Sequence, residues 1–229
     1  HNQSRRQRQM CIRDRTRVAP RKARRIYITD TEINHVAHRL AQPTEVIIPT
    51  HFIDSLAGPL MKKKCKFHRI DGLHGHVHLH PHIRPVSVSD PPKVIVRRLI
   101  GNGIHDGDEI TIIPEDWLEG LEVTNADENQ YEENPWDLTN KISQMNGVIT
   151  QSVTLASEAV LLGVPTLLVS KAKRGFLDRL LEECYPLFIA RDADASILAA
   201  WLAGLHLTDA LEEPDWPNTR SELIDLIKD

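Results

Sequence analysis

The sequence predicts an α/β fold built as two parallel-sheet units, and three observations carry that expectation. Short β-prone runs alternate with helical patterns from residue 26 onward. Several connections between them are tight strand–helix–strand units, which imply parallel strands. A stretch rich in His, Pro and Ser at 72–92 divides the series in two. With 229 residues, 41% of them hydrophobic and 26% charged, the chain can build one large core or two small ones.

In the first series, Ile26-Tyr27-Ile28-Thr29 is β-prone and ends at Asp30. Thr29 and Glu32 have capping-box spacing, and Ile33, Val36, Ala37 and Leu40 then recur with helical period until Pro43 closes the helix. Glu45-Val46-Ile47-Ile48 is the next strand, and 54–71 holds a further short helix and strand. The second series opens at Lys93. Val94-Ile95-Val96 and Ile110-Thr111-Ile112-Ile113 are continuous apolar runs of the kind buried strands show. Val148-Ile149, Thr166-Leu167-Leu168-Val169 and Leu187-Phe188-Ile189 follow, separated by helical patterns. Amphipathic helices over about 193–204 and 219–228 complete it, packing back on this sheet or on another domain. The division expected is a basic tail at 1–25, a first α/β unit at 26–71, a linker at 72–92 and a second unit at 93–229.

Charge is unevenly spread. Residues 1–25 hold ten Arg or Lys against one acid, Asp14, while the rest holds 18 basic against 31 acidic residues. The folded part is therefore acidic, which argues against a general nucleic-acid binder, because such binding rests on neutralising phosphates. The basic start reads as a nucleic-acid arm, a solvated tail or sequence foreign to the protein. Met10-Cys11-Ile12-Arg13-Asp14-Arg15 resembles translated sequencing-adapter read-through, and the stretch has no apolar period, so the last reading is the expectation. No window has the apolar length of a membrane span, and no charged-then-apolar leader is evident. Cys11, Cys65 and Cys184 lie too far apart in sequence for a metal-type pair. Reduced thiols in a cytoplasmic protein are expected.

The most informative stretch runs from Ile149 through Thr150-Gln151-Ser152-Val153-Thr154 to Gly163-Val164-Pro165. Ser152 or Thr154 can cap a helix start, Leu155, Ala159 and Leu162 form its buried stripe, and Gly163 suits a left-handed C-terminal cap. Pro165 ends the helix before the next strand. A helix that starts beyond a parallel strand aims its free N–H groups and positive dipole end at the crevice where such sheets bind ligands, most often phosphate. Glu158 sits just past the first turn. It is either a charge favoured near the dipole's positive end or a two-oxygen acceptor for ribose hydroxyls.

The run Ser152-Val153-Thr154 through Glu158-Ala159, then Leu162-Gly163-Val164-Pro165, resembles the donor-site segment of GT-B proteins. It is most similar to the prokaryotic domain-of-unknown-function family 354, related to the non-hydrolysing UDP-N-acetylglucosamine 2-epimerases. Thr29-Asp30-Thr31-Glu32, Gly72 with Leu79-His80-Pro81, and Val94-Ile95-Val96-Arg97 with His105-Asp106 resemble other segments of that family, in the same order. The likeness spans about 26–190. It implies a GT-B-like fold, a partial first Rossmann-like domain followed by a second Rossmann-like domain that binds the nucleotide. Thr150 and Val153 stand where the family's phosphate turn has glycines, and the family's initial strands have no counterpart here. The resemblance thus implies an N-terminally truncated, GT-B-like protein handling a sugar nucleotide, as a glycosyltransferase or an epimerase-like enzyme. A non-catalytic nucleotide- or glycan-binding module is the alternative.

On that basis Ser152 and Thr154 are expected to meet phosphate and Glu158 the ribose, with Arg97 and His105 facing the cleft. Lys173 and Arg174, which with Lys171 follow the strand at 166–169, can neutralise phosphate. Asp30 or Glu32 is the candidate general base, and His105 beside Asp106 a candidate oriented imidazole. No cofactor is expected beyond the nucleotide-sugar substrate. His74, His76, His78, His80 and His82 alternate, so an extended strand would align them on one face, but Pro81 interrupts it and no Cys, Asp or Glu completes an obvious ligand set nearby. No resident metal is expected there.

Overall fold

All strand pairing is parallel in the computed structural model, which describes residues 23–72, 74–79, 87–99, 111–127, 137–192, 194–206 and 216–228. His105, His80, His82 and most of the basic start, 1–22, lie outside the described residues. The chain separates into two compact units. The first comprises the chain up to Leu73, with Arg174–Phe176 and Asn218–Asp229; the second comprises His74–Lys173 and Leu177–Pro217.

The first unit is a three-stranded sheet, β1 (Ile26–Ile28), β2 (Glu45–Pro49) and β3 (Lys66–Ile70), in that spatial order. Its central strand, β2, is the most apolar: Val46, Ile47 and Ile48 are at most 1% exposed. Helix α1 (His35–Leu40) links β1 to β2, and a 3-10 turn with the short helix α2 (Gly58–Met61) links β2 to β3. The start of α1 departs from the sequence expectation. Its cap is Asn34, whose side-chain oxygen accepts the Ala37 N–H at 3.3 Å, so Thr29 and Glu32 lie outside the helix and form no capping box. Val36 and Leu40, expected to be buried, are each 48% exposed, while His38 is buried.

The second unit contains α3 (His74–His78), β4 (Lys93–Arg97), β5 (Glu122–Asn125), α4 (Asp137–Ile142), β6 (Gly147–Thr150), α5 (Val153–Leu161), β7 (Thr166–Val169), α6 (Gly175–Glu182), β8 (Leu187–Ala190) and α7 (Ala195–Gly204). The first turn of α6 groups with the first unit. The five strands run in the order β5-β4-β6-β7-β8, an order of the doubly wound Rossmann-like type. Val94, Val96, Ile149, Leu167, Val169 and Trp201 form its core, with the Trp201 indole N–H donating to the Pro165 carbonyl at 3.0 Å.

Two expectations fail here. Thr111–Ile113 is not a strand, and Ile112 is 80% exposed. The strand in that part of the sheet is β5, which carries no apolar run because it is an edge strand exposed along most of its length. The stretch read as a linker holds α3, so His74, His76 and His78 are not in an extended strand.

Helix α8 (Thr219–Lys228) belongs to the first unit, although the sequence grouped it with the second. The Thr219 hydroxyl donates to the Asp71 carbonyl at 2.8 Å. At its other end the Arg24 guanidinium donates to the carbonyls of Leu226 and Ile227, satisfying acceptors that a helix C-terminus leaves unpaired. Arg24 also pairs with Glu45, which takes a second contact from His68 Nε2 at 2.8 Å. These bonds hold the Glu45 carboxyl down at about 2, the Arg24 bond contributing most. Arg25 reaches the Gln42 carbonyl, so the fold begins before residue 26 and the tail ends sooner than the sequence indicated. Among the described residues no helix is long and apolar enough to cross a membrane.

Candidate functional site

In the second unit β5 lies on one side of β4 and β6 on the other. Chain direction across the sheet therefore reverses at β4/β6, and open parallel sheets bind ligands beyond the strand ends at such a point. Three strand ends meet there. Arg97 ends β4, Ala126 and Asp127 follow β5, and Thr150 ends β6 with Gln151 and Ser152 after it.

Local chemistry builds this edge. The Thr150 hydroxyl donates to the Arg97 carbonyl at 3.3 Å and accepts the Ser152 N–H at 2.9 Å, which tightens the turn into α5. Ser152 is the N-cap, its oxygen accepting the Leu155 N–H at 3.3 Å; Thr154, the other capping candidate, is exposed on the first turn. Beyond the buried stripe of Leu155, Ala159 and Leu162, Gly163 ends α5 with φ +76°, the left-handed conformation expected of it. The N–H groups of Val153 and Thr154 have no acceptor within the helix, so the positive end of the dipole lies at the strand edge after β6.

Arg97 is half-buried and donates to the Ala126 carbonyl at 3.1 Å; among the described residues no carboxylate pairs with it. A guanidinium has five N–H donors, so one such bond leaves most of its fork for an anion. Its neighbour Arg98 is neutralised instead, by Asp127 at 3.4 Å and Glu115 at 3.0 Å. Sequence reasoning missed Asp127 and Gln151. The Asp127 carboxylate also accepts the Arg98 N–H at 2.8 Å, and the Gln151 amide accepts from Leu99 N–H and donates to the Thr111 carbonyl, each at 2.7 Å. Both fasten loops to the strand ends. A polar residue at a strand terminus was the available signal.

Glu158 is half-buried on α5, and its Oε1 lies 3.4 Å from His78 Nε2 on α3. Lys173 is exposed. Arg174 is not at an open ligand edge: it is 5% exposed, and its charge acts on Glu32 within the first unit.

Glu32 is fully buried there. Its Oε1 accepts the N–H groups of Ile53 at 3.1 Å and Gly175 at 3.0 Å. Burial pushes its carboxyl above the ordinary value, against the pull of those two bonds and the Arg174 charge. A Cβ on residue 175 would fall 1.7 Å from the His51 carbonyl oxygen, so only glycine fits. Through Oε1, Glu32 thus ties two backbone segments together, while its Oε2 is buried without a hydrogen-bond partner among the described residues. Asp30 is half-buried, and its carboxylate accepts the Thr31 hydroxyl at 3.2 Å.

The second unit is, in class, a parallel Rossmann-like α/β domain with a polar strand edge. No family model, curated protein or solved structure matches the chain.

Proposed function

We propose that this chain binds a phosphate-bearing nucleotide at the β4/β6 edge and handles a sugar nucleotide in the manner of GT-B proteins. The observation that carries the reading is Arg97, a half-buried cation without a carboxylate partner among the described residues, at the point where strand order reverses. Beside it stands the N-terminus of α5 with Ser152 and Thr154. A forked cation and a helix dipole converging on one crevice suit a diphosphate. Glu158 then takes the ribose hydroxyls by giving up or sharing its contact with His78. In an enzyme of this type the protein's work is stabilising the departing nucleoside diphosphate.

One observation favours the non-catalytic module: Glu32, a candidate base, is fully buried and its Oε1 accepts two backbone N–H groups. Thermal unfolding of the full chain with a panel of nucleotides and nucleotide sugars tests binding. A ligand at a hundred times its dissociation constant adds about 2.7 kcal/mol of stability. The expected stabilisation is confined to nucleoside diphosphates or their sugars, and Arg97→Ala abolishes it. No shift in a folded sample overturns the reading. Turnover of a stabilising nucleotide sugar separates the enzyme from the module.

A further inference from the structure

The alternating histidines of the sequence become something different once α3 forms. Residues four apart share a helix face, so His74 and His78 come together, with ring centroids 5.0 Å apart, while His76 turns inward against Trp216. Gly75 brings α3 close to α5: a Cβ there would lie 2.4 Å from Leu161 Cδ1. That approach delivers Glu158, absent from the neighbouring sequence, to the histidine pair. One ligand atom from each of His74, His78 and Glu158 lies within 4.8 Å of the others.

The His78 contacts show what belongs between them. His78 Nδ1 lies 3.1 Å from the His74 carbonyl, which can only accept, so Nδ1 carries the proton. In neutral imidazole Nε2 then presents a lone pair, and it faces a carboxylate oxygen at 3.4 Å. Two acceptors facing each other need a positive species between them. A charge-assisted hydrogen bond would draw them to roughly 2.7–2.9 Å. A tetrahedral ion with bonds of about 2.0–2.1 Å instead holds its ligand atoms roughly 3.3 Å apart. The Nδ1–H bond to a backbone carbonyl is also the outer contact that orients metal-binding histidines.

We propose that His74, His78 and Glu158 bind a divalent transition ion of the Zn(II) class, through two imidazoles and one carboxylate. Three protein ligands leave a fourth position for water or a ligand oxygen. This site shares Glu158 with the nucleotide reading but does not rest on it.

Zn(II) titration of the full chain by calorimetry, with Co(II) absorption as a second readout, tests the site. One equivalent is expected to bind, with the visible bands of four-coordinate Co(II). His74→Ala, His78→Ala or Glu158→Gln should each weaken Zn(II) by more than about tenfold, while the exposed His206→Ala should leave it unchanged. Circular dichroism confirms that each variant folds. Absence of binding by the unaltered chain overturns the proposal, as does binding that survives His78→Ala and disappears only when His80 and His82 are replaced. His78→Ala also separates the two readings, since it should abolish the metal and leave stabilisation by nucleotides in place.

Discussion

The turn after β1 and the turn after β6 are the same kind of place: each follows the carboxyl end of a parallel strand and leads into a helix. They differ in where their polar groups go. After β1, Glu32 is fully buried and its Oε1 is shared by Ile53 and Gly175. At the end of β6, Thr150, Gln151 and Ser152 hold the backbone in place, while Thr154 is exposed and Arg97 donates to the Ala126 carbonyl with no carboxylate partner among the described residues. Position at the carboxyl edge of a sheet is thus insufficient for a site. The polar groups there must also be left over after the fold has used what it needs.

The comparison breaks most sharply at Gly175. Gly175→Ala places a methyl against the fixed His51 carbonyl, and a loss of at least about 4 kcal/mol in urea denaturation is expected, the range reserved for strain and overpacking. An alanine tolerated within about 1 kcal/mol would mean that the Glu32 segment is not rigid. Glu32→Ala is next. It leaves two buried N–H groups without an acceptor and removes a costly buried charge, for a net loss of about 2 kcal/mol. Ser152→Ala removes a single cap and should cost about 1 kcal/mol. A larger loss at Ser152 than at Glu32 would reverse the contrast.

The smallest effect lies in pH dependence, where two carboxylates of the first unit act with opposite sign. Glu32 has a raised folded value, so what it adds to stability is complete below its unfolded value and is lost as pH rises through the folded one. Glu32→Gln, which keeps the acceptor and drops the charge, should therefore gain on the unaltered protein as pH rises from about 4. Glu45, held at about 2, contributes above its unfolded value and loses that contribution as pH falls toward 2. Glu45→Gln should narrow its stability difference from the unaltered protein on acidification. Denaturation curves between acid and neutral pH read both slopes.

Local signals in the sequence survived folding. Ser152, Gly163 and Pro165 delimit α5 through contacts within a few residues, so the sequence contains all the information their placement needs. The buried strands β2, β4, β6 and β7 were legible because both faces are covered and their apolar runs are continuous. Strand β5 was not, because Glu122-Val123-Thr124-Asn125 is an exposed edge. Glu32 was misread because its partner Gly175 is 143 positions away. The histidines were misread for a subtler reason: spacing of two fits one face of a strand, yet every second pair also falls four apart on a helix. Glu158 could be joined to them only by the packing of α3 on α5.

The composition of the first unit has a consequence for biosynthesis. Its three described strands end at Ile70, but the Gly175 N–H that Glu32 receives and the helix held by Arg24 and Asp71 come more than a hundred residues later. At roughly 5–20 residues per second, a ribosome needs about 5–30 seconds to supply them. During that interval β1, β2 and β3 stand with their helix missing and a buried acid without its partner. Closure of this unit therefore waits until α8 is free of the ribosome.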